Sequence, residues 1–134
     1  MNGLVLDCSI VCAWLLADES VPEADSILDQ VGAAGAVAPG IWWAELRNVL
    51  IMAERRRRIS QSETAAALAA VQALGIMLDH AAEGATVLRL ARSYRISVYD
   101  ALYLELAVRE QRPLATLDRA LGNAAESEQV RVLV

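Results

Sequence analysis

The stretch Gly3-Leu4-Val5-Leu6-Asp7-Cys8-Ser9 decides how the rest of the chain is read. Its apolar run of β-type residues, ended by an acid, predicts a short buried strand. Ser9 follows as a candidate cap for a helix over Ile10–Ala17. Strand and helix in direct succession form the first half of an α/β unit.

The same alternation continues outward. Pro22 suits the first turn of a second helix, running to about Val31 and ended by the Gly32–Gly35 region. Ala36-Val-Ala-Pro39 predicts a strand, and Ile41 to about Arg58 has helical spacing with terminal arginines that complement the helix dipole. Ser60-Gln-Ser-Glu63 is a capping-box pattern opening a helix to about Leu74. Ile76–Asp79 predicts a strand, Glu83–Tyr94 a helix, and Ser97 a cap for a helix over Val98–Glu110. Pro113–Leu117, Arg119–Ala125 and Val130–Val134 then predict strand, helix and strand. Together these predict one three-layer α/β/α domain over residues 1–134 with a mostly parallel central sheet.

Composition narrows the function. The chain has 134 residues, 56% hydrophobic and 22% charged, enough for one well-filled core. Twelve cations against seventeen acids leave a net charge of −5, so general basicity cannot serve to grip nucleic acid. Such a role needs a local device, metal ions or an arginine patch. All twelve cations are Arg. Without Lys there is no Walker A phosphate loop and no Schiff-base chemistry, and receiver domains and haloacid-dehalogenase-type phosphatases are disfavoured.

Cys8 and Cys12 lie too close for a disulfide to close a useful loop, and with the single His80 they fall one ligand short of a closed zinc site. A reduced, cytoplasmic setting follows. The first positive side chain is Arg47, so no basic region precedes the apolar stretch Ile10–Ala17. The longest charge-free runs, Gln30–Ala44 and Thr64–Leu78, fall short of a spanning helix. A soluble protein is expected.

Four acids sit where acids are costly. Asp7 and Asp118 each follow an apolar strand candidate, at the strand ends where open parallel sheets form ligand crevices. Glu45 shares its helical stripe with Ile41, Trp42, Asn48 and Val49, and Asp100 shares one with Tyr103, Leu104 and Ala107. Each has a structural alternative: a strand end for Asp7, an N-cap for Asp118, a capping box with Ser97 for Asp100, an arginine partner for Glu45. The functional alternative is one shared acidic pocket. Carboxylates ~5–6 Å apart at an effective dielectric of ~20 repel by roughly 3 kcal/mol per pair, so such a pocket requires divalent metal or protonation. All-oxygen donors select Mg²⁺ or Mn²⁺ over zinc.

These residues also carry a family resemblance. Leu4-Val-Leu-Asp7-Cys-Ser9, Trp43-Ala-Glu45-Leu-Arg-Asn-Val, Val98-Tyr-Asp100-Ala-Leu-Tyr-Leu-Glu-Leu-Ala107 and Pro113-Leu-Ala-Thr116-Leu-Asp118 resemble the PIN domain. More narrowly, they resemble the VapC toxins of bacterial toxin–antitoxin pairs. The resemblance implies a PIN-like fold and an endoribonuclease dependent on one or two Mg²⁺ or Mn²⁺ ions, leaving 5′-phosphate and 3′-hydroxyl ends. It further implies neutralisation by a cognate antitoxin and a homodimer. It makes Asp7, Glu45, Asp100 and Asp118 the catalytic metal ligands, with Ser9 and Thr116 as polar companions. Some members carry a further acid just after the fourth; Arg119–Asn123 contain none, which leaves Asn123 as a neutral outer-shell group.

Other residues have a plain and a sharp reading. Arg55, Arg56, Arg57 and Arg58 form the only basic run, either a dipole-complementing helix end or a phosphate contact for RNA. Trp14, Trp42 and Trp43 are core or interface residues. Trp42 and Trp43 point about 100° apart, so one of them is a candidate for lining a groove that receives the antitoxin. The alternative to a nuclease is a catalytically silent PIN-like module that acts through protein contacts.

Overall fold

The computed structural model describes residues 3–134. Its elements are β1 (Leu4–Leu6), α1 (Cys8–Leu15), a 3₁₀ turn (Ala17–Glu19), α2 (Pro22–Ala34), β2 (Ala36–Pro39) and α3 (Ile41–Arg55). They continue with α4 (Gln61–Gln72), β3 (Met77–Asp79), α5 (Gly84–Tyr94), α6 (Val98–Glu110), β4 (Leu114–Ala115), α7 (Arg119–Ser127) and β5 (Val132–Leu133). The five strands form one sheet in the order β3-β2-β1-β4-β5, and every pairing is parallel. The expected three-layer α/β/α domain is therefore the fold, with a wholly parallel sheet.

β1 lies at the centre, pairing Leu4 with Ala36 on one side and Leu6 with Ala115 on the other. All three of its residues are buried, as an unbroken apolar run between two helical layers requires. Right-handed crossovers send β1, β2 and β3 outward in one direction and β4 and β5 in the other, placing α1–α4 on one face and α5–α7 on the opposite one. The chain thus reverses its winding between β1 and β4. In such a sheet the carboxyl ends of those two strands part and leave a crevice.

Three boundaries depart from the sequence reading for identifiable reasons. Helix α1 begins at Cys8, so Ser9 lies inside it and the N-cap position falls to Asp7. Helix α2 runs through Gly32 and stops only at Gly35, whose φ of 84° favours glycine. Helix α3 ends at Arg55 rather than Arg58, because Arg57 turns left-handed and Arg58 reverses onto the 3₁₀ turn. There the Arg58 guanidinium holds Asp18 through Nε (3.0 Å) and Nη2 (2.6 Å). The Ser60 capping box forms as expected, with Glu63 reaching back to the Ser60 N–H.

One buried acid was not anticipated. Glu105 is 1% exposed and is gripped by its own helix: Arg109 donates to it from Nε (2.9 Å) and Nη2 (3.1 Å). Arg109 also pairs with Asp79 at the end of β3, and the Glu83 N–H donates to Glu105 at 3.1 Å. The cluster fastens α6 to the edge strand and to the turn that starts α5. Removing one member of a buried pair strands the other, so Glu105→Ala should lower unfolding free energy by about 3 kcal/mol, read from urea denaturation. Glu105→Gln, which keeps hydrogen bonds to Arg109, should lose less.

Candidate metal centre

Asp7 stands at the carboxyl end of β1 with only 6% of its surface exposed. Its main-chain N–H donates to the Ala115 carbonyl at 3.0 Å, which locks it beside β4. Its Oδ2 accepts from two hydroxyls, Ser9 Oγ and Thr116 Oγ1, each at 2.7 Å. Both hydroxyls in turn accept main-chain protons at 3.0 Å, Ser9 from Leu117 and Thr116 from Asp118. Each hydroxyl has one proton, and the backbone bond orients it toward the acid. The relay explains why Asp7, though at the N-cap position, gives α1 no side-chain cap, forgoing about 1 kcal/mol of helix stability.

Three more acids arrive from other elements. Asp118 follows β4 and caps α7 by accepting from Leu121 N–H at 3.0 Å through Oδ1. Asp100 lies in the first turn of α6, where Ser97 Oγ accepts its N–H at 3.0 Å. Glu45 projects from α3 and accepts a 2.5 Å hydrogen bond from the hydroxyl of Tyr103, which is fully buried on α6. The sequence places Tyr103 only on the apolar stripe of Asp100, and its contact with a candidate ligand is new; the signal available is a phenol one turn along that stripe.

The charges of these acids act on one another. Burial pushes the Asp7 carboxyl above its ordinary value, and the Asp118 charge adds to that while the two hydroxyls oppose it. Glu45 is pushed up by burial and by Asp7 and Asp100, against the Tyr103 hydrogen bond. Asp100 is pushed up by burial, then by Asp118 and Asp7. Arginine relieves none of this. Among the described residues the ion pairs fall on Asp18, Glu19, Asp79, Glu105, Glu110 and Glu128, and none reaches these four carboxylates.

A hard divalent cation fits this donor set: oxygen ligands only, and charge that no arginine among the described residues compensates. The arrangement is open rather than closed. Among the described residues no three His, Cys, Asp or Glu side chains are gathered tightly enough to enclose a metal. Mg²⁺ makes modest demands here, since it keeps several waters and commonly takes one or two protein carboxylates. Ser9 and Thr116 would hold the Asp7 ligand in place through their hydrogen bonds.

A hollow of about 410 Å³ opens beside this crevice, lined by Ser9, Glu45, Leu117 and the two cysteines. The Sγ atoms of Cys8 and Cys12 lie 3.8 Å apart. That contact and burial push the Cys8 thiol up, while the same contact lowers that of Cys12. His80 instead packs its ring against Gly40, where a Cβ would come within 2.5 Å of Nδ1.

The remaining candidates separate by location. Trp42 is buried and Trp43 is 53% exposed. Both line a groove of about 540 Å³ between α3 and α4, with Leu46, Arg47, Leu68 and Ile76. Arg47 stacks 3.9 Å over the Trp43 ring. Trp14 does not belong to that groove: its Nε1 donates to the Ala24 carbonyl, pinning α1 to α2. Arg58 is committed to Asp18, which leaves Arg55, Arg56 and Arg57 exposed at the end of α3. Asn123 is exposed on α7, lining with Thr116 and Asp118 a second hollow of about 250 Å³.

A family model described as PIN domain matches residues 4–127. No curated protein matches the chain. Among solved structures, the chain is similar to PAE2754 from Pyrobaculum aerophilum, with a TM-score of 0.75, 19% identity, and coverage of 98% of this chain and 90% of that one. At that identity the likeness concerns the fold.

The upward shift of Asp100 has a measurable consequence. An acid whose pKa is higher folded than unfolded adds stability below its unfolded value, about 4, and loses it as pH rises through the folded value. Asp100→Asn removes this penalty. In EDTA it should raise Tm at pH 7 and change it little at pH 4, as read by thermal denaturation at the two pH values.

Proposed function

The chain belongs to the PIN domain family, and from that premise we propose that it is an endoribonuclease dependent on Mg²⁺ or Mn²⁺, acting as the toxin of a toxin–antitoxin pair. One observation carries the proposal. Asp7, Glu45, Asp100 and Asp118, far apart in the chain, lie near enough to raise one another's charge cost, and among the described residues no arginine pairs with any of them. A protein that only needed to fold would pair or dispense with such charge.

In this reading Asp7, Glu45, Asp100 and Asp118 hold one or two ions, which supply charge for the scissile phosphate and lower the pKa of the attacking water. The chain's own contribution is placement. Ser9 and Thr116 fix the Asp7 carboxylate, and Tyr103 fixes Glu45 at one oxygen, leaving its other oxygen for the centre. The products would carry 5′-phosphate and 3′-hydroxyl ends.

The three free arginines at the end of α3 are the candidate phosphate contacts, on the helix that also carries Glu45. The α3–α4 groove with Trp42 and Trp43 is the candidate antitoxin surface, and a homodimer in the cytoplasm is the expected form. Among the described residues, no helix is long and apolar enough to cross a membrane.

RNA incubated with the protein in Mn²⁺ should be cut, EDTA should stop it, and Asp100→Asn should slow it roughly 100-fold or more. Equal cutting by wild type and variant would mean a contaminant. Absence of cutting across diverse RNAs would leave the silent module as the better reading. Independently, millimolar Mg²⁺ or Mn²⁺ should raise the wild-type Tm, because a ligand that binds only the assembled site stabilises it. Asp7→Asn should reduce that rise.

A further inference from the structure

Thr116 and Asp118 of the acidic centre also line the small hollow, and the rest of its lining has a construction that the centre does not account for. Arg119, Gly122, Asn123 and Glu126 follow the i, i+3, i+4, i+7 spacing of one helical face, and all of them line it. Leu117 and Val132 form its apolar floor. Gly122 is buried in mid-helix, where glycine weakens the element. Neither backbone nor packing demands it: its φ is not left-handed, and an added Cβ would meet only Val132 Cγ1 at 3.7 Å and Thr116 Cγ2 at 3.9 Å. What the missing side chain leaves is the hollow itself.

The rim is unspent. Arg119, Asn123 and Glu126 are exposed, and among the described residues their side chains take part in no hydrogen bond or ion pair. Arg119 sits next to Asp118, and Glu126 lies two turns farther along, about 10 Å at 1.5 Å per residue. That separation is comparable to the span from a nucleotide's phosphate to the far edge of its base. An apolar floor accepts the face of a base, and the rim meets its polar edge.

Resting on the nuclease reading, we propose that this hollow is a base-specificity pocket that seats a guanine adjoining the bond to be cut. Guanine presents two neighbouring N–H donors, N1–H and N2–H, and the two oxygens of the Glu126 carboxylate accept both. Uracil and adenine offer no such pair on one edge, and cytosine offers only its amine. Asn123 supports the base edge, and Arg119 meets the phosphate on the side of Asp118.

Calorimetric titration of the whole protein with the four nucleoside 5′-monophosphates in Mg²⁺ tests the pocket without cleavage. Guanosine monophosphate should bind about tenfold or more tighter than the others. Glu126→Gln, an exposed change that replaces one acceptor with a donor, should remove the difference; Gly122→Leu should abolish binding by filling the floor. In parallel, sites cut in a random-sequence RNA pool with Mn²⁺ should be enriched in guanine next to the bond, and Glu126→Gln should flatten that enrichment. Guanine-selective binding without any cleavage supports the pocket and removes the nuclease. Cleavage with equal binding of all four nucleotides, or selectivity unchanged in Glu126→Gln, overturns the pocket and leaves the nuclease standing.

Discussion

The fold is arranged around a carboxylate that it neither exposes nor neutralises. Asp7 ends the central strand, almost wholly buried, with two hydroxyls for company and no cation. Two hydrogen bonds to one oxygen soften the desolvation of a charge without removing it, which is why burial still dominates the shift of this group. Every other element near the crevice follows from that choice. Thr116 must sit just past the end of β4, Ser9 must be drawn into the first turn of α1, and the backbone at Leu117 and Asp118 must present N–H groups to both hydroxyls. The switch of winding between β1 and β4 makes room for all of them.

The cost of the acidic crevice is offset elsewhere, in a way that separates two kinds of buried acid. Glu105 and Asp79 share the Arg109 guanidinium and knit α6 to the sheet edge. Glu128 is similarly taken by Arg89 and Tyr94, and Asp18 by Arg58. Arginine is therefore directed to acids that hold elements together and withheld from those at the strand ends. Exposed members of these pairs add little stability; the buried Glu105 contact matters because its loss would strand a charge. The pattern of pairing discriminates function better than burial alone, since Asp7 and Glu105 are both buried and serve opposite ends.

Much of this was legible in the sequence. The strand–helix alternation, the buried β1, the four acids and the half-buried tryptophan pair follow from periodicity and from acids at apolar positions, which depend on local spacing. What escaped depends on contacts made across the fold. Ser9 has the chemistry of a cap, yet its hydroxyl turns to Asp7 because Leu117, more than a hundred residues on, supplies the orienting proton. Arg58 belongs to the basic run by sequence and to Asp18 by geometry. Trp14 has the aromatic character of an interface residue but spends its indole proton on Ala24. Glu105 lay hidden because its i+4 partner makes it look like a solvated surface pair; only the packing of α6 on β1, β2 and β4 reveals that this side is interior.

Helix α3 ties these strands of argument together. It carries Glu45 into the crevice, Trp42 and Trp43 into the groove against α4, and Arg55 to its exposed end. Glu45 is the one acid of the four whose position does not descend from the β1/β4 strand ends or from α6. Among the described residues its side chain's one hydrogen-bond partner is the Tyr103 hydroxyl, which comes from α6. Trp42 and Glu45 are three residues apart and so stand on adjoining turns of one helix, which places the groove and one proposed metal ligand on a single element.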